Sequence, residues 1–137
     1  MDINRKMNFV PGEDAGTGNR RNLRALGTLM ERRAGDFLIH EGYHICEYNF
    51  RCRMGEIDIV ALDGDTLVFV EVKYRADKKH GSPFEAVNIR KQRVISRCAD
   101  FYRVRYRVPA NRPCRFDVVG ISGGQITLIR NAFCYQL

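Results

Sequence analysis

The sequence predicts an α/β domain with one central mixed sheet of about five strands flanked by helices. Three observations carry this expectation. The apolar periodicities come in the order helix, three strands, helix, two strands. Two turn signals, Leu62-Asp63-Gly64-Asp65-Thr66 and Gly123-Gly124, close apolar runs into hairpins. The length of 137 residues suits one domain with a single core.

The elements follow in chain order. Residues 1–20 have few large apolar side chains and carry Gly12, Gly16 and Gly18, which reads as a flexible tail. A single folded domain then occupies residues 21–137. From Asn22 to Glu41, Leu23, Leu26, Met30, Ala34, Phe37 and Leu38 step by three and four, and Gly42 is a C-terminal stop. In HICEYNFRCR, Cys46, Tyr48, Phe50 and Cys52 alternate on one face of a strand. The hairpin GEIDIVALDGDTLVFVEVKYR comes next. Ser82-Pro83-Phe84-Glu85 has the form of a capped helix start, and the helix should run to about Arg105 with Val87, Val94, Ile95, Cys98 and Tyr102 inward. RFDVVGI and QITLIR are the closing strands.

Composition narrows the function classes. No apolar run approaches the roughly 18 residues of a membrane helix, and the polar N-terminus lacks the apolar core of a secretory signal. The cysteines, Cys46, Cys52, Cys98, Cys114 and Cys134, form no C-x-x-C pair, and His40, His44 and His80 are isolated. That pattern argues against zinc and for a reducing, cytoplasmic setting. The net charge is +7, the pI about 9.4, and most of the 23 Lys and Arg residues are arginine. Guanidinium groups grip phosphates with two-pronged geometry, so a polyanionic partner is expected.

The hairpin raises the chemical question. Alternation puts Phe69, Glu71 and Lys73 on one face of its second strand and Val68, Val70, Val72 and Tyr74 on the other. On the first strand Glu56 and Asp58 share a face, opposite Ile57, Ile59 and Ala61. Two registers are open. With Gly64-Asp65 as the loop, Asp58 faces Glu71 and Glu56 faces Lys73; with Asp63-Gly64, Glu56 faces Glu71. In the first register two carboxylates come about 5 Å apart at Cβ. Such a pair repels unless a cation lies between, and Mg²⁺ or Mn²⁺ prefers oxygen ligands. The competing reading is an exposed sheet face with cross-strand ion pairs.

Asp58 followed by Glu71-Val72-Lys73 resembles the PD-(D/E)xK nuclease signature. The wider set G-E-I-D-I-V, F-V-E-V-K-x-R, G-x-P-x-E-A-V, R-K-Q-R and R-F-D-V-V resembles the bacterial YraN-type family, proteins assigned as endonucleases and similar to Holliday-junction resolvases. The resemblance implies a restriction-endonuclease-like fold. It implies that Asp58, Glu71 and the Val72 carbonyl hold Mg²⁺ or Mn²⁺, with Glu31 of the first helix completing the shell. Lys73 would position or deprotonate the water, and Gln92 would lie near the site. The family often has glycine before the helix glutamate, where this chain has Met30.

Around this site, Arg90, Arg93 and Arg97 share one stripe of the second helix, and Lys91 extends the charge. Arg75 follows Lys73, and Arg51 and Arg53 enter the Met54-Gly55 bend. These seven are the expected phosphate contacts. The leading expectation is a metal-dependent endonuclease acting on DNA, with a lean towards branched DNA, no membrane contact and a homodimer if junctions are cut. The alternative is a nucleic-acid-binding or accessory protein on the same fold without turnover.

Overall fold

The computed structural model describes residues 17–76 and 87–137, with side chains from Arg20 onward. The expected tail up to residue 16, the Ser82–Glu85 helix start and His80 lie outside the described residues. The observed elements are α1 (Thr17–His40), β1 (His44–Cys52), β2 (Gly55–Asp63), β3 (Thr66–Arg75), α2 (Ile89–Arg105), β4 (Cys114–Ser122) and β5 (Gln125–Phe133). The fold is α/β, as the periodicities predicted.

The strands form one 5-stranded sheet in the order β1-β2-β3-β4-β5. Only β3 and β4 are parallel; the other neighbours are antiparallel. A parallel neighbour needs a crossover, and α2 lies within it. The sheet is buried on both faces. On one, Met30, Ala34 and Leu38 of α1 pack against Ile59, Ala61, Val68, Val70, Val119 and Ile121. On the other, Ile95, Cys98, Ala99 and Tyr102 of α2 pack against Phe50, Val60, Leu67, Phe69 and Phe116. Tyr102 meets Phe50 and Phe69 edge-on, with ring centroids 5.1 and 5.7 Å apart.

Helix ends differ from expectation in instructive ways. α1 begins before Asn22, at Thr17. It ends at His40, two residues before Gly42, whose φ of 95° allows Tyr43 N–H to reach Leu38 C=O at 2.9 Å. α2, within the described residues, begins at Ile89. Asn88 caps it by accepting from Lys91 N–H at 3.0 Å. Val87 therefore precedes the helix and is only half-buried.

Two strands depart from simple alternation. In β1, pairing shifts between Ile45 and Glu47, and Asn49 takes φ of 55°. Tyr48 then packs towards α1 while Phe50 and Cys52 pack towards α2, so the four expected residues do not share a face. In β2, Ile57 joins the α2 side and Ile59 and Ala61 the α1 side. β3 keeps its predicted alternation. Leu23, expected inward, is exposed.

Candidate active site

The β2–β3 register resolves the hairpin. Asp63 pairs with Thr66 across Gly64-Asp65, and pairing runs to Ile59↔Val70. The next pair in this register would be Asp58 and Glu71. There the backbone ladder stops, and the Asp58 carboxylate accepts the Val72 N–H at 2.8 Å. The side chain has replaced a ladder partner, which is why alternation slips between Ile57 and Ile59.

Neither acid lies on an exposed face. Asp58 is 9% exposed and Glu71 4%. The reading of a solvated sheet with surface ion pairs is therefore overturned for these two. Burial and the nearby Glu71 charge push the Asp58 pKa well above its usual 3.8, although the Val72 N–H bond pulls it down. Glu71 Oε1 is 3.3 Å from Lys73 Nζ and 3.7 Å from Lys91 Nζ. Its Oε2 is buried with no hydrogen-bond partner among the described residues. Glu56 turns outward to Arg51 at 3.4 Å.

These acids sit in a groove of ≈ 320 Å³ lined by Glu31, Glu56, Asp58, Glu71, Val72 and Lys91, with α1 supplying an apolar wall. A second cavity of ≈ 330 Å³ under α2 and β5 has an aromatic wall and lacks this acid pair. Glu31 reaches the groove from α1 and accepts from Asn49 Nδ2 at 2.7 Å. Burial raises its pKa, and the Asn49 bond opposes that rise. The unusual φ of Asn49 thus belongs to a residue that holds Glu31, and asparagine tolerates it.

The donor set is carboxylate oxygen, hard and suited to Mg²⁺ or Mn²⁺. Among the described residues no three His, Cys, Asp or Glu side chains are gathered into a metal cage. Magnesium commonly uses one or two carboxylates, with waters and phosphate completing its shell. Two buried acids with an unpartnered oxygen fit that pattern; a closed protein cage does not.

The remaining expected residues are distributed as follows. Gln92 turns back to the Val87 C=O at 3.1 Å and is absent from the groove wall. Lys91, expected as part of a phosphate ridge, is the α2 residue that enters the groove. Arg90 and Arg93 are exposed beside it. Arg97 is taken up elsewhere: it bonds the Gln136 C=O, pairs with Asp100 at 3.4 Å and covers the Tyr135 ring. Arg75 donates to the Tyr74 C=O at 3.1 Å, and Arg53 lies over Phe101. Leu23, Gly27 and Tyr74 in the groove wall had no sequence signal as site residues.

A mixed five-stranded sheet between helices, with acids at the open end of its central hairpin, defines an α/β domain of the restriction-endonuclease-like class. A family model described as "Uncharacterised protein family UPF0102" matches residues 30–121, and the chain belongs to this YraN-like family. It is 48% identical over 112 residues to a UPF0102 protein of Lachnoclostridium phytofermentans, covering 82% of this chain and 95% of the relative. A UPF0102 protein of Syntrophus aciditrophicus is 49% identical over 116 residues, covering 82% and 90%. One from Chromohalobacter salexigens is 46% identical over 114 residues, covering 80% and 91%. These names state no activity. No helix among the described residues is long and apolar enough to cross a membrane.

Proposed function

We propose that the protein is a divalent-cation-dependent endonuclease that hydrolyses DNA phosphodiester bonds, with branched DNA as its preferred substrate and a homodimer as the form that cuts junctions. The observation that carries this reading is the buried Asp58–Glu71 pair lining an open groove, with one Glu71 oxygen left without a hydrogen-bond partner among the described residues. Asp58, Glu71 and the Val72 carbonyl are the proposed holders of Mg²⁺ or Mn²⁺, with Glu31 acting directly or through water. Such an ion, when bound, activates water and offsets phosphate charge. Lys73 holds its ammonium against Glu71, where it can orient a water and stabilise added negative charge. Lys91 lies on the groove wall, and the exposed guanidinium groups of Arg90 and Arg93 take the flanking phosphates. Gln92 supports the start of α2 rather than the chemistry.

A second reading has its own observation. Lys73 and Lys91 already neutralise one Glu71 oxygen, so the same groove could hold a phosphate backbone without turnover. Titration of Mg²⁺ or Mn²⁺ against labelled duplex, single-stranded and four-way-junction DNA separates the two. Cleavage by the native protein and none by Glu71→Gln is the expected result. Salt-sensitive binding with no product under either metal, unchanged by Glu71→Gln, would select the binding protein.

A further inference from the structure

We propose that the N-terminal half of α1 is a phosphate-tracking arm, with Arg20 and Arg24 gripping a nucleic-acid backbone as it leaves the acid groove over Gly27. The inference deepens the proposed function and rests on it for the direction of the strand. It adds a surface outside the phosphate contacts expected from the sequence.

α1 has two unlike halves. Met30, Ala34 and Leu38 bury its C-terminal half against the sheet. Arg20–Ala25 are all exposed. From Thr17 to Met30 there is no acid, and Arg20, Arg21 and Arg24 supply the charge. Arg20, Arg24, Gly27 and Glu31 are spaced four, three and four apart, so they share one stripe of the helix. Gly27 and Glu31 line the groove. The stripe therefore leads from the acids outward to the two arginines.

The spacing suits a nucleic-acid backbone. At 1.5 Å per residue, Arg24 lies about 10 Å and Arg20 about 16 Å along the axis from Glu31. Those are about three and five steps of a strand rising 3.4 Å per nucleotide.

Gly27 is a second, independent sign. Glycine weakens a helix interior relative to alanine. Here a Cβ would meet nothing within 4 Å, so no packing against the described residues requires the glycine. What it leaves is a low point in the groove wall between Arg24 and Glu31. Exposed Arg90 and Arg93 stand at the start of α2, whose Lys91 lines the same groove. The acids are thereby bracketed by two basic helix starts, the arrangement a polyanion needs to be held across a negative site.

The test is binding of fluorescent duplex and four-way-junction DNA in EDTA, across a salt series. Arg20→Gln with Arg24→Gln should shrink the slope of log affinity against log salt by about 1.8, two contacts at 0.9 each. Arg105→Gln with Arg107→Gln removes the same charge at the far end of α2 and should leave the slope nearly unchanged. Gly27→Phe adds bulk without charge and should weaken binding while circular dichroism stays native. A slope change in the α1 pair no larger than in the control overturns the inference, as does a native-like affinity of Gly27→Phe or a native protein that binds neither DNA. Failure of the nuclease reading looks different: binding follows the α1 arginines, but no metal yields product.

Discussion

Among the described residues acids are buried in two places and treated in opposite ways. Asp117, at the start of β4, is fully buried, and both of its oxygens are used. Oδ2 accepts from Tyr43 Oη at 2.7 Å and Arg115 Nη2 at 2.9 Å; Oδ1 accepts from Arg115 Nε at 2.8 Å and Asn131 N–H at 2.9 Å. Arg115 also reaches Asp63 at 2.8 Å, tying this network to the turn end of the β2–β3 hairpin. At the hairpin's open end, Asp58 has the Val72 N–H and a neighbouring carboxylate, while Glu71 keeps an oxygen with no described partner. A buried charge with every lone pair answered locks a fold. One left part-answered beside another acid is costly unless a ligand completes it. The contrast separates structure from site without recourse to the family.

The largest effect should come from the completed network. Asp117→Ala leaves Arg115, Tyr43 and the Asn131 N–H without their shared acceptor, and should cost about 3–5 kcal/mol in urea unfolding. A loss below about 1 kcal/mol, the range of an exposed ion pair, would break the comparison at its structural end.

At the other end the sign should reverse. Asp58→Asn keeps an acceptor for the Val72 N–H and removes the charge facing Glu71. It should abolish cleavage and raise stability at neutral pH by about 1 kcal/mol, the scale of one unsatisfied buried group. The pH dependence follows the same logic. The folded Asp58 pKa is raised above the unfolded value near 3.8, so between the two values the native state holds a proton that the unfolded chain has lost. Asp58's contribution is most favourable below that window and declines as pH rises through it. Asp58→Asn should flatten that decline in a series of unfolding curves. An unchanged pH slope would mean that Asp58 is as well accommodated as Asp117.

The sequence showed one half of this contrast more readily than the other. Element order, the Gly42 stop and the face shared by Phe69, Glu71 and Lys73 were legible, because local periodicity and glycine chemistry determine them. The hairpin register was not, since both turns satisfy the same preferences. Nor was the slip at Asp58, which arises only when a buried carboxylate takes a ladder N–H. The faces of Tyr48 and Phe50 depend on the φ of Asn49, which in turn holds Glu31. Asp117 read as a structural hydrogen-bonder, but its partners Tyr43 and the Asn131 N–H come from distant parts of the chain, and Arg130 in turn donates to the Tyr43 hydroxyl at 3.1 Å. Lys91 and Gln92 are neighbours on α2; which one enters the groove follows from where Asn88 starts the helix.

Lys91 supplies the smallest effect and the sharpest discriminator. Its pair with Glu71 resembles Arg115 with Asp117 on paper, but the geometry differs. Lys91 makes one contact at 3.7 Å with a side chain 35% exposed, whereas Arg115 is bidentate at 2.8 and 2.9 Å. Solvent screening limits the Lys91 pair to a stability cost under about 1 kcal/mol. Lys91→Gln should therefore unfold almost like the native protein, yet cut DNA at least tenfold more slowly, since a groove-lining cation is lost. Unfolding and cleavage measured on the same preparation check both halves. If Lys91→Gln costs several kcal/mol, the Glu71 cluster is a second structural lock like that of Asp117, and the part-answered acid pair ceases to point to a ligand.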